Sequence, residues 1–103
     1  MSHSHSIKNN CLIVVLSKLE ELSFIESLFS PECKHLILDL TEVLDFDINH
    51  LIKFTTFGKN LVQTNSFVMI SNQFLNDEFL VVPTLQEAFD IIEMEDIERS
   101  LKL

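Results

Sequence analysis

A chain of 103 residues, 47% hydrophobic and carrying nine Phe, has enough apolar material for one compact core without disulfide or metal staples. Seven Lys and Arg against sixteen Asp and Glu leave a net charge of -9, which repels phosphate backbones and anionic membrane surfaces and argues against nucleic-acid binding as the main activity. No segment approaches the roughly eighteen consecutive apolar residues of a membrane span, and residues 1–10 lack the basic, apolar, small-residue order of a signal peptide, so the chain reads as a single cytoplasmic domain.

The opening "MSHSHS" has nothing apolar to anchor it, which predicts a disordered, partly tag-like tail over residues 1–10. Its two imidazoles, one residue apart, chelate a transition metal only weakly. The domain proper is then residues 11–103. "CLIVVL" (Cys11 to Leu16) is a short apolar run without alternation, the pattern of a strand buried on both faces of a parallel sheet. In "SKLEELSFIESLFSPE" the residues Leu19, Leu22, Ile25, Leu28 and Phe29 recur at helical spacing before Pro31 closes the segment. "HLILDL" (His35 to Leu40) is a second strand, a helix follows from about Ile48 to Gln63, and "FVMI" (Phe67 to Ile70) is a third strand. "FLVV" (Phe79 to Val82) is the fourth, and the last helix begins at "PTLQE", where Thr84 and Glu87 form a capping box. The expected fold is therefore α/β: a small, mostly parallel four-stranded sheet with helices packed on it by right-handed crossovers.

Cys11 and Cys33 lie at strand starts, with no CxxC spacing and no ligand-spaced histidines beside them, and read as buried thiols. At about 100° per residue the second helix is apolar over an arc of about 180°, with Ile48, Leu51, Thr55, Gly58 and Val62 on one side and Phe54, Phe57 and Leu61 continuing it. Neighbouring helices of the same domain or a partner must cover the excess. In the last helix Leu85, Ala88, Phe89 and Ile92 share a face, whereas Met94, Ile97 and Leu101 fall on nearly the opposite one. A straight helix would carry Asp96 and Arg99 toward the core, so the expectation is a break near Glu93, with 94–103 a separate helical segment that packs on the domain or on a partner.

Four stretches, "CLIVVLSKLEE", "HLILDLTEVLDFDINHLIKF", "SFVMISN" and "VVPTLQEAFDII", resemble in order the landmarks of STAS domains, the anti-sigma-factor-antagonist fold. The similarity covers roughly Cys11 to Ile92. Its specific parts are the "DLT" strand end with an Asp before the next helix, and the closing "PTLQEAF". It is nearest to short, divergent bacterial STAS-like chains ending in "VVPTLQEA" and "IIEMEDIER", some of which carry a ribonuclease Z label. The resemblance implies a non-enzymatic regulatory module whose partner is a kinase, an anti-sigma-like protein, a nuclease or another STAS chain, with a homodimer among the open arrangements. In the family a phosphorylatable serine commonly follows the Asp; here Asp47 is followed by Ile48, Asn49 and His50, and Asn49 falls at the phosphoacceptor position. An amide cannot accept a phosphoryl group, so the switch is expected to be absent. The family's leading strand has no counterpart in this reading, and the helix usual between the last two strands is reduced to "NQFLND".

The residues around Asp47 define the candidate sites. Asp47 stands where a helix N-cap belongs, and the first turn and exposed side of the helix it starts (Asp47, Asn49, His50, Phe54, Phe57) are the expected partner-binding patch. The alternative is a small-ligand or nucleotide site at the strand C-terminal edge, gathering Asp39, Thr41, Asn72 and Asp77. Asp39 and Asp45 add carboxylates, but no glycine-rich phosphate loop or lysine follows, and no metal or cofactor is expected. A two-zinc ribonuclease needs a cluster of the HxHxDH kind. "HSHSIK" supplies its first two histidines and then fails, and His35 and His50 are scattered elsewhere. No G-x-S-x-G elbow is present, and a catalytic His50–Asp47 pair competes with simple capping. The chain is therefore expected not to be an enzyme.

Overall fold

The computed structural model describes residues 3–17, 23–43, 47–72 and 80–101. Strands β1 (His3–Lys8), β2 (Cys11–Leu16), β3 (His35–Asp39), β4 (Phe67–Ile70) and β5 (Val81–Val82) stand side by side in chain order in one sheet. Helices α1 (Ser23–Leu28), α2 (Ile48–Val62) and α3 (Leu85–Leu101) complete the fold. β2 to β5 are parallel to one another and β1 is antiparallel to β2. The sheet is thus five-stranded and mixed rather than four-stranded.

β1 corrects both the expected tail over residues 1–10 and the missing leading strand. Asn9 and Asn10 take φ of 54° and 63°, the two positive values that a two-residue type I′ hairpin loop requires, and asparagine tolerates them better than other side chains. The loop sets Lys8 opposite Cys11 and His3 opposite Leu16. Ser4 through Lys8 are exposed, so the strand is held by its ladder with β2 rather than by apolar burial. That is why apolar patterning does not announce it.

Strand alternation sends side chains to two layers. Leu12, Val14, Leu36, Leu38 and Met69 pack under α1 and α2 with Ile25, Leu51, Phe54 and Val62. Ile13, Ile37, Val68 and Ile70 face the other way, against Ala88 and Ile92 of α3. The wide apolar arc of α2 is covered largely by this domain, since Phe54 is 2% exposed and Phe57 and Leu61 pack against the same core. Gly58 lets α2 lie close against β4, because a Cβ there would overlap the Phe67 ring. α2 ends at Gln63, whose φ of 57° and ψ of −109° open a turn closed by Asn65 N–H donating to the Val62 carbonyl at 3.0 Å.

The expected break near Glu93 is also corrected: α3 runs unbroken from Leu85 to Leu101, so residues 94–101 are not a separate segment. Asp96 and Arg99 do turn toward the domain, but polar groups at the sheet's lower edge receive them. Met94, Ile97 and Leu101 consequently remain exposed on the outer side. The "FLVV" strand is seen as Val81–Val82, while Phe79, Leu19, Leu22 and most of "NQFLND" lie outside the described residues. Among the described residues no helix is long and apolar enough to cross a membrane.

Candidate functional site

The start of α2 is built by Asp47. Its backbone is extended (φ −126°, ψ −173°), and Oδ1 accepts from the amides of Asn49 at 3.0 Å and His50 at 3.2 Å. The Asp47 amide in turn donates to His50 Nδ1 at 3.1 Å, giving a reciprocal capping box with an imidazole in the place usually held by Glu or Gln. A ring nitrogen that accepts this amide carries no proton. The 3.1 Å approach of Nδ1 to Asp47 Oδ1 is therefore a by-product of capping rather than an ion pair. Asp47 Oδ1 and His50 Nδ1 are both engaged in closing the helix end, which makes the pair a cap.

Around this cap the structure sorts the expected patch residues. Asp47 and Asn49 are exposed and His50 is partly so, with its ring 6.4 Å from Phe54. Phe54 does not belong to the patch: it is buried under α2, because the sheet and α1 together cover the arc on which it lies. Phe57 is half-buried on the α1 side, where Glu26, Phe57, Asn60 and Leu61 line a recess of about 240 Å³. Ile48, expected within the covered arc of α2, and Ile52, which the sequence reading did not single out, take their place. Ile48 and Ile52 are 40% and 49% exposed, one helical turn apart and next to Asp47. At about 100° per residue they lie together at one border of the apolar arc, beside Thr55, where the sheet no longer covers the helix.

At the strand C-terminal edge Asp39 Oδ1 accepts from the Thr41 amide at 3.0 Å and the Thr41 hydroxyl at 2.6 Å. This is a side-chain-closed turn that engages one of the two carboxylate oxygens. Asn72 is exposed beyond β4, and Asp77 and Asp45 lie outside the described residues. Among the described residues no group of three or more His, Cys, Asp and Glu side chains is arranged to hold a metal. Cys11 and Cys33 are free and buried. Burial, followed by the charges of Asp96 and Cys33, pushes the Cys11 thiol up to about 11, which keeps it protonated and inert.

Among the described residues the most connected polar cluster lies at the opposite end of the sheet, and sequence reasoning passed over it. His35, 2% exposed at the start of β3, accepts the Ser66 amide on Nδ1 at 3.0 Å and donates from Nε2 to Asp96 at 3.2 Å. Arg99 donates to Asp96 at 2.6 Å, to the Ser66 hydroxyl at 2.8 Å and to the Thr64 carbonyl at 3.3 Å. The Ser66 hydroxyl donates to Glu95 at 2.5 Å. Both ring nitrogens of His35 are occupied and the Ser66 hydroxyl faces Glu95 and Arg99 rather than the imidazole, so this is a clamp on α3 and not a nucleophile with its base. Burial lowers the His35 pKa against the pull of Asp96. Burial raises that of Asp96, but the hydrogen bond from Arg99 and the charge of His35 outweigh it and leave the carboxyl below its usual range. The signal was a polar residue heading each of two otherwise apolar strand segments, His35 and Ser66.

Compared with known proteins, the chain matches no protein-family model and no curated protein.

Proposed function

We propose that the chain is a non-enzymatic protein-interaction module of STAS type, with the first turn of α2 as its partner surface and without a phosphorylation switch. The observation that carries this reading is the pair Ile48 and Ile52, large apolar side chains exposed beside the polar cap formed by Asp47 and next to Asn49. An apolar pair on a rigid, capped helix start, with polar groups at its rim, is the make-up of a recognition patch. The α/β order and the presence of a leading strand support the resemblance from which the reading began. Asn49 is exposed but offers an amide, so partner choice here rests on shape and hydrogen bonding rather than on added phosphate charge. The partner is a protein: a kinase, an anti-sigma-like chain, a nuclease or another STAS domain.

The test is affinity capture from the source organism's lysate under gentle crosslinking, comparing wild type with Ile52→Glu and Asn49→Arg. Both variants replace exposed side chains, and thermal unfolding checks that the fold survives. A protein enriched by wild type and lost in both variants supports the reading. Capture of the same set by all three proteins removes the first turn of α2 from consideration.

A further inference from the structure

A second surface lies on the other side of the sheet, along the outer face of α3. At about 100° per residue Met94, Ile97 and Leu101 form one stripe, and they are 61%, 53% and 78% exposed. Glu93 flanks the stripe on one side, Glu98 on the other, and Asp90 continues its line toward the helix start. Ile97 also lines a cleft of about 510 Å³ whose apolar walls are Cys11, Phe89 and Ile92 and whose rim carries Glu93 and Asp96. Among the described residues Glu93 has no hydrogen-bond or ion-pair partner, unlike Asp96 and Glu95 beside it. The helix is fixed in place by the His35–Asp96 and Ser66–Arg99 bonds, so the surface is formed before anything binds to it.

Charge decides what fits. A second copy would bring the same carboxylates face to face, and an anionic lipid surface is repelled by a chain of net charge -9. An apolar stripe bordered by carboxylates complements a helix with apolar side chains at helical spacing and Lys or Arg beside them. Lys8, whose ammonium lies 5.8 Å above the Phe89 ring, adds positive charge at that wall and leaves the part around Glu93 and Glu98 acidic.

We propose that the outer face of α3 and its adjoining cleft dock a basic amphipathic α-helix of a partner protein. One large apolar side chain of that helix enters the cleft between Phe89, Ile92 and Ile97, its neighbours lie along Met94 and Leu101, and its bases meet Glu93 and Glu98. The surface is on the opposite face of the sheet from α2, so the inference does not depend on the STAS reading.

The experiment titrates the full chain into a fluorescein-labelled synthetic amphipathic helix of Leu and Lys and reads anisotropy, alongside a scrambled peptide of identical composition. Wild type is expected to bind the amphipathic peptide saturably, with affinity falling as salt rises. The scrambled peptide, Ile97→Glu and Met94→Glu are each expected to weaken binding roughly tenfold or more. Two exposed positions are tested so that a folding defect in one leaves the other to decide. Equal affinity for the scrambled peptide, or for both variants, would reduce the effect to general attraction between opposite charges and overturn the proposal. Adsorption to anionic vesicles, or self-association of the chain that Ile97→Glu abolishes, would overturn it by assigning the face to another occupant.

Discussion

His35 and Asp96, 61 residues apart in the chain, meet at 3.2 Å where the last turns of α3 cross the start of β3. The imidazole is buried and the carboxylate is half in solvent, so the contact joins the inside of the sheet to its surface. Its pH dependence follows. The unfolded chain protonates His35 around its ordinary 6.5, while burial lowers that value in the folded protein, so proton uptake favours unfolding. The stability held by neutral His35 is complete above pH 6.5 and declines as pH falls toward the lowered folded value. Asp96, held below its ordinary 3.8, stays charged through that window and loses its contribution only at more acid pH. Urea midpoints measured from pH 8 down to pH 5 are expected to fall in wild type and to flatten in His35→Gln. Identical slopes would show that another group titrates.

Gly58→Ala should destabilise the fold even though alanine is the better helix former by about 1 kcal/mol. The new methyl group would overlap the Phe67 ring, and overpacking of this kind costs about 1–3 kcal/mol. Phe67→Leu in the same chain is expected to restore part of the loss. A Gly58→Ala protein as stable as wild type would mean that β4 yields more readily than its packing indicates.

Gln63→Gly is expected to stabilise the chain by about 1 kcal/mol, because a side chain at φ 57° and ψ −109° sits in a region that glycine enters without strain. The readout is the urea midpoint with an unchanged slope. A lower midpoint would indicate that the flexibility added to the unfolded chain outweighs the relieved strain.

Asp47→Ala removes both bonds to the first turn of α2 and should cost about 1 kcal/mol. Asp47→Ser should recover most of it. Failure of serine to do so would point to a role for the carboxylate charge beyond capping.

Cys11 should resist iodoacetamide at pH 8 in the native protein, since its side chain is inaccessible and burial raises its pKa to about 11. Labelling is expected only as denaturant opens the sheet, which makes the thiol a probe of global unfolding. Rapid native labelling, read by mass spectrometry, would reveal a local opening between the hairpin and α3.

Much of this architecture was legible because it rests on local pattern. Unalternated apolar runs marked β2, β3 and β4, and Asp47 together with helical spacing marked α2 from its first residue. What escaped was held by partners far away in the chain. β1 has polar residues on its exposed stretch and is specified by two asparagines in a turn. Helical arithmetic placed Asp96 and Arg99 against the domain correctly, but the conclusion that the helix must break needed knowledge of His35 and Ser66, which receive them. Phe54 was assigned to the partner patch for a similar reason: the width of an apolar arc does not say how much of it a sheet and a neighbouring helix can cover. Asp47 and Asn49 of the expected patch are exposed, whereas the exposure of Ile48, read as part of the covered arc, and of Ile52 emerged only from the fold.

The sheet finishes in unequal strands, with consequences for how copies of the chain behave when crowded. On one side β5 is two residues long, too short to template another strand. On the other, β1 pairs with β2 along one side and forms the border of the sheet, where the exposed Ser4, His5, Ser6 and Lys8 keep the edge hydrated and interrupt any apolar match. Replacing Ser4 and Ser6 with valine would turn it into a β-branched seam open to edge-on stacking, so protection against fibril formation rests on the least hydrophobic strand in the protein.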